Sequence, residues 1–229
     1  MNIIVNGGSR GIGKEVALFL SQDINNQIIV IGRNTIALNS LSTVSPNIHP
    51  VTSDISVHDD LENTFKEQIV RHFNRVDVLI NMAGALVSKE FMEIDDKEAR
   101  LMMETNFFGP ATVIRIVKPL MPEGAHIVNI SSMGGFQGSV KFAGLSYYSA
   151  SKAAIACLSE CLAEEFKGSG ISVNCIALGA VQTEMLNEAF PGYKAPVEAF
   201  EIASFISYFA LNCHKFMNGK IIPVAVNNP

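Results

Sequence analysis

Apolar positions along the chain follow two alternating rhythms. Short runs rich in Ile and Val occur at Ile3–Val5, Ile28–Ile31, Ile48–Thr52, Val76–Ile80, His126–Ile130, Ser172–Ala177 and Lys220–Val224. Their continuous apolar character is that of strands covered on both faces. Between most of them lie stretches with helical spacing of apolar residues: Gly13–Gln22, Val57–Phe73, Asp95–Lys118, Ser149–Phe166 and Val197–Leu211. Strands alternating with helices predict βαβ units, and so an α/β fold built on a parallel sheet with helices on both faces. Pro110, Pro119 and Pro122 are the main breakers near the middle, the latter two ending a helix before the fifth strand. No repeat, low-complexity segment or linker divides the chain, so residues 1–229 read as one domain.

Composition narrows the class. Apolar residues make up 48% of the 229 and charged residues only 17%, which argues for a well-filled core and against disorder. A net charge of −5 gives nucleic acid or an anionic membrane no reason to bind. The apolar start, Ile3–Val5, is too short for a signal peptide, and no apolar run approaches the roughly 20 residues of a membrane span. The cysteines at 157, 161, 175 and 213 lack Cys-x-x-Cys spacing, and the five histidines are scattered. These read as reduced thiols in a cytoplasmic protein with no metal site.

Two segments carry candidate chemistry. The first run leads into Gly7-Gly8-Ser9-Arg10-Gly11-Ile12-Gly13 and then into a helical pattern. Glycines at a strand-to-helix turn let the backbone approach a pyrophosphate, and the helix N-terminus offers it unpaired N–H groups. The second segment, Ser146–Lys152, sets Tyr148 and Lys152 four residues apart, on one face of a helix. An ammonium beside a phenol lowers a pKa that is ordinarily near ~10, which suits the phenol to general acid–base work.

At these residues the chain resembles the short-chain dehydrogenase/reductase family, over nearly its whole length. The glycine motif is similar to Asn6-Gly7…Gly11-Ile12-Gly13, and an Asn-Asn-Ala-Gly motif is matched by Asn81-Met82-Ala83-Gly84. The resemblance implies a Rossmann fold of about seven strands in the order 3-2-1-4-5-6-7. It also implies an NAD(P)-dependent enzyme interconverting a carbonyl and an alcohol. By resemblance, the catalytic set is Ser132, Tyr148, Lys152 and Asn106. Tyr148 is the general acid and base; Lys152 lowers its pKa and holds the nicotinamide ribose. Ser132 donates to the carbonyl oxygen, and Asn106 anchors a water that links Lys152 to solvent. Cofactor contacts fall on Gly7, Ser9, Arg10, Gly11, Ile12, Gly13, Arg33, Asp54, Ile55, Asn81, Ala83, Gly84, Tyr148, Lys152 and Thr183. Tyr147 and Ser131 are adjacent decoys, since Tyr147 lacks a lysine four residues on.

The chain also departs from the family pattern. Asn6 stands for the usual threonine, Met82 for the second asparagine and Leu178 for a proline, and the C-terminal Asp-Gly-Gly is missing. The Ser132-to-Tyr148 segment is longer than usual and the Glu184–Ala195 lid shorter. These departures leave a second class open, a sensor or scaffold that binds NADPH without turnover. The second strand ends Ile31-Gly32-Arg33-Asn34 with no carboxylate for the ribose hydroxyls, and Arg33 with Arg10 can hold a 2′-phosphate, so NADP is expected over NAD. Met133, Phe136, Met185, Leu186 and Phe190 are expected around a small-molecule carbonyl substrate, an open choice between a 3-oxoacyl thioester and a smaller ketone. Ala150, Ala154, Cys157 and Cys161 form a small-residue stripe opposite Tyr148, read as a contact in a homodimer or homotetramer.

Overall fold

The computed structural model describes residues 1–61 and 65–226. Its strands are β1 (Asn2–Asn6), β2 (Gln27–Gly32), β3 (Ile48–Thr52), β4 (Val78–Asn81), β5 (His126–Ser132), β6 (Ser172–Leu178) and β7 (Ile221–Val224). They form one parallel sheet in the order β3-β2-β1-β4-β5-β6-β7. The helices are α1 (Gly11–Leu20), α2 (Thr35–Val44), α3 (His58–Asp60), α4 (Lys66–His72), α5 (Asp96–Met103), α6 (Gly109–Val117), α7 (Ser146–Glu165), α8 (Glu184–Ala189) and α9 (Ala199–Asn212). Among the described residues, no helix is long and apolar enough to cross a membrane.

Successive strand residues point to opposite faces, and both faces are covered, which is why the strands need unbroken apolar runs. Ile3, Val5, Ile28 and Val30 pack with Leu38 and Leu41 of α2 and Ile206 and Phe209 of α9. Ile4, Ile29 and Ile31 face the other way, onto Phe65, Ile69, Val113 and Val117. Each fully buried Ile contributes about 1.5–3 kcal/mol. The sheet ends on β3 and β7, and each carries a proline, Pro50 and Pro223. A residue without an N–H is tolerated at an edge and discourages further pairing.

The helix expected over Val57–Phe73 is described on either side of residues 62–64, which lie outside the described residues, as α3 and α4. One helical expectation needs correction. Pro110 was expected to break the long helix beginning at Asp95. It sits instead as the second residue of α6, in a helical run that passes from α5 through a π turn at Glu104–Phe108. A wider π turn ahead of a proline relieves the clash between its ring and the preceding carbonyls. The run is started by a capping box, with Asp95 Oδ1 accepting from Glu98 N at 2.8 Å.

The strand order reverses between β1 and β4, their neighbours lying on opposite sides. Loops leaving the C-terminal ends of these strands diverge, and a crevice opens where they part.

Candidate active site

That crevice is a cleft of about 640 Å³ along the C-terminal edge of the sheet. One end is the glycine turn. Gly7 has φ +92°, and a Cβ there would lie 2.4 Å from Ala83 N; a Cβ on Gly13 would lie 2.2 Å from Gly7 O. Only glycine allows this turn and the close seating of α1. The N-terminus of α1 has no side-chain cap and no acidic residue in its first turn. Its free N–H groups and dipole are therefore available to a phosphate, and a dinucleotide fits the cradle they make.

The other end is built by β5 and α7. Ser132 closes β5, and its Oγ accepts from Gly134 N at 3.2 Å. Its hydroxyl lies within hydrogen-bonding reach of the Tyr148 phenol. Lys152 is buried one turn further along α7, with Nζ donating to Ile130 O at 2.9 Å. Burial pushes the Lys152 ammonium down to about 8. Burial also pushes the Tyr148 phenol up, with the Ser132 hydrogen bond pulling weakly the other way. The expectation that Lys152 lowers the Tyr148 pKa is therefore corrected. The ammonium is turned toward Ile130 O, and desolvation of the phenol outweighs its hydrogen bond with Ser132.

The decoys separate cleanly. Ser131 donates to Lys152 O at 2.7 Å and is spent on holding α7 against β5. Tyr147 stacks on Phe91 with ring centroids 5.7 Å apart, away from the cleft.

Gly7, Ser9, Arg10, Gly11, Ile12, Gly13, Arg33, Asp54, Ile55, Ala83, Gly84, Ser132, Tyr148, Lys152 and Thr183 all line the one cleft. Asn81 and Asn106 stand behind its wall. Asn106 Oδ1 accepts from Ala85 N at 2.7 Å, and its Nδ2 donates to Ala85 O at 2.9 Å and Ser151 Oγ at 2.8 Å. That amide ties the π turn to α7 and to the strand-four loop, and it makes no direct bond to Lys152. Asn81 belongs to a buried chain of amides. Asn6 Nδ2 donates to Asn81 Oδ1, Asn81 Nδ2 to Asn129 Oδ1, and Asn129 Nδ2 to Ser159 Oγ, at 3.0, 2.9 and 2.9 Å. Asn6, in the place of a threonine, thus links the glycine turn through two strands to α7.

Four predicted cofactor residues meet partners within the chain. Arg33 lies 3.8 Å from Asp54, and Arg10 pairs with Glu188 at 2.8 Å. Asp54 Oδ1 also accepts from Ser56 N and Oγ at 3.0 and 2.7 Å, shaping the loop after β3. Thr183 caps α8, its Oγ1 accepting from Leu186 N at 3.2 Å.

The apolar end holds Met133, Met185, Leu186 and Phe190, as expected, but not Phe136. Phe142, in the longer segment before α7, takes that part of the wall with Leu145, and Leu86, Tyr193 and Val226 complete it. Neither periodicity nor spacing marks these residues, because loops from four different strands bring them together.

Residues 1–194 match the model of the short chain dehydrogenase family. The chain belongs to that family. It is 32% identical to carbonyl reductase family member 4 of Xenopus tropicalis, over 78% of this chain and 75% of the relative. It is 27% identical to the 3-oxoacyl-(acyl-carrier-protein) reductase of Staphylococcus epidermidis, over 96% of each chain. A crystal structure of a short chain dehydrogenase from Burkholderia cenocepacia, in complex with NADP, covers 97% of this chain and 95% of its own at a TM-score of 0.85 and 21% identity. Family membership makes the protein an oxidoreductase of a family that binds NAD(P).

Proposed function

We propose that the protein reduces a small carbonyl compound with NADPH, and catalyses the reverse oxidation. The observation that carries this reading is the Ser132–Tyr148 pair at the apolar end of the cleft whose other end is the glycine turn. When bound, the cofactor supplies the hydride. Tyr148 donates its proton to the carbonyl oxygen as negative charge develops there. Burial holds the phenol above its ordinary pKa, so it carries its proton at neutral pH, and the Ser132 hydrogen bond works against that rise. Ser132 adds a hydrogen bond to the same oxygen; its Oγ already accepts from Gly134 N, so its own proton is free to give. Lys152, which lines the cleft with its ammonium on Ile130 O, would hold the ribose hydroxyls of a bound cofactor.

Preference for NADPH rests on Gly32 and the two arginines. A Cβ at Gly32 would lie 2.9 Å from Ser9 Cβ and Oγ, so β2 has no room to end in an acidic side chain. Arg33 and Arg10 line the cleft beside it. On substrate, the apolar wall of Met133, Phe142, Leu145, Met185 and Phe190 supports a ketone or a 3-oxoacyl group. The relatives named for carbonyl and 3-oxoacyl reduction point the same way. The exposed Ala150, Cys157 and Cys161 on α7, with half-buried Ala154 between them, support a homo-oligomeric contact, checked by light scattering.

The test is NADPH oxidation across a panel of small ketones, aldehydes and 3-oxoacyl thioesters. Saturable turnover of one class is expected. Tight cofactor binding with turnover of none would replace the enzyme by a sensor of the same fold.

A further inference from the structure

We propose that Glu188 is a latch that competes with the cofactor's 2′-phosphate for Arg10, so that NADPH, but not NADH, releases the α8 lid. This rests on the NADPH reading above. Arg10 lies in the glycine turn and Glu188 lies 178 residues later, near the end of α8; their 2.8 Å pair ties α8 to the turn. A second acidic residue of α8, Glu184, also leans over the turn, its Oε2 lying 3.5 Å from where a Gly11 Cβ would be. The lid thus presents carboxylates to a loop whose business is binding phosphates. An arginine paired with a carboxylate is the arrangement a phosphate displaces, since both are bidentate anions for one guanidinium.

The rest of the lid is built to move about a fixed base. Gln182, just ahead of it, donates from Nε2 to Asn187 Oδ1 at 2.6 Å and accepts at Oε1 from Ala195 N at 2.8 Å. One side chain therefore holds both the helix and the chain that returns from it. Among the described residues, the ion pair between α8 and the glycine turn is Arg10–Glu188, a solvent-exposed pair with side chains 48% and 64% accessible. Such a pair contributes little and is easily exchanged. Met185 and Leu186, on the same short helix, line the apolar end. Releasing Glu188 frees the element that shapes the substrate's wall, so the phosphate on the cofactor is read out where the carbonyl binds. By linkage, a substrate that prefers the released lid strengthens NADPH binding by the same factor.

The experiment is calorimetric titration of NADPH and NADH into the wild type, Glu188→Gln, Arg10→Ala and the double variant. Glu188→Gln should tighten NADPH about twofold to fivefold, the range of one exposed ion pair, and leave NADH unchanged. In the Arg10→Ala background the same change should do nothing. Hydrogen exchange at the α8 amides should accelerate on saturation with 2′,5′-ADP and not with 5′-AMP. Unchanged NADPH affinity in Glu188→Gln, or α8 exchange indifferent to the 2′-phosphate, overturns the latch. A wild type that binds NADH more tightly than NADPH overturns the cofactor preference beneath it, a different failure read from the same titrations.

Discussion

Strand β5 meets a buried base near each end, one its own and one brought to it by α7, and the two have opposite uses. Toward the cleft, Lys152 of α7 donates to Ile130 O and is pushed down to about 8. At the strand's first residue, His126 is fully buried and pushed down to about 4. The main cause is the same in both, removal of the charged form from water. The difference lies in what surrounds the base. His126 Nδ1 donates to Ala210 O at 2.8 Å and Nε2 accepts from Asn174 Nδ2 at 3.0 Å, so both ring nitrogens are spent and only the neutral ring fits. His214 and Phe209 close the ring faces, with centroids 5.4 and 5.8 Å away. The Lys152 end opens instead onto a cleft containing Ser132 and Tyr148. A perturbed base marks chemistry only where a substrate can reach it and where neighbouring donors remain unspent.

The largest effect that tests this contrast is at Tyr148. Tyr148→Phe removes the proton donor without changing the ring's packing. Turnover should fall by about 10²–10⁴-fold while NADPH affinity stays close to wild type. His126→Asn, at the sealed end, should leave kcat near wild type once the protein is folded. Retained turnover in Tyr148→Phe, measured as single-turnover NADPH oxidation, would break the assignment of the open end as the catalytic one.

The asymmetry between the ends was only half legible in the sequence. All seven strands and their parallel arrangement follow from short apolar runs, because a two-sided core demands them whatever the loops do. The glycine turn and the Tyr148–Lys152 pair follow from local spacing, and Ser132 from the family resemblance. The pairs Arg10–Glu188 and Arg33–Asp54 join residues remote in sequence, and no local pattern announces them. The same holds for Phe142 and Tyr193 in the cleft wall, and for His126, whose partners Asn174 and Ala210 arrive from β6 and α9. The direction of the Tyr148 shift was misread for a related reason. Spacing puts an ammonium on the same helix face as the phenol, but burial and the pull of Ile130 O are properties of the folded surroundings.

The next effect is on stability, and its sign is the same at both ends in different pH windows. His126 is held at about 4 against an ordinary 6.5. Below pH 6.5 the unfolded chain takes a proton that the folded chain refuses, so stability falls as pH drops toward 4, by roughly 3 kcal/mol. Lys152 is held at about 8 against 10.5. Between those values the unfolded chain binds the extra proton, so stability rises with pH by a similar amount. Urea midpoints compared across pH should show the acid slope reduced in His126→Asn and the alkaline slope reduced in Lys152→Met. Slopes unchanged in both variants would mean that burial of these bases is not what distinguishes the two ends of β5.

The smallest effect separates two serines that are neighbours on β5. Ser132→Ala removes a hydroxyl beside the Tyr148 phenol and should lower kcat more than it changes KM, because the lost hydrogen bond matters most as charge develops on the oxygen. Ser131→Ala removes a donor to Lys152 O, a contact at 2.7 Å that fixes α7 against the strand. It should cost about 1 kcal/mol of stability, the worth of one neutral hydrogen bond, and leave the kcat-to-KM balance intact. The two variants share a strand and differ by one position in the pleat, so their side chains face opposite ways. Equal losses of kcat in both would mean that the catalytic hydroxyl acts through the placement of α7, and that the open end of β5 is held for chemistry by the same kind of contact that seals the other.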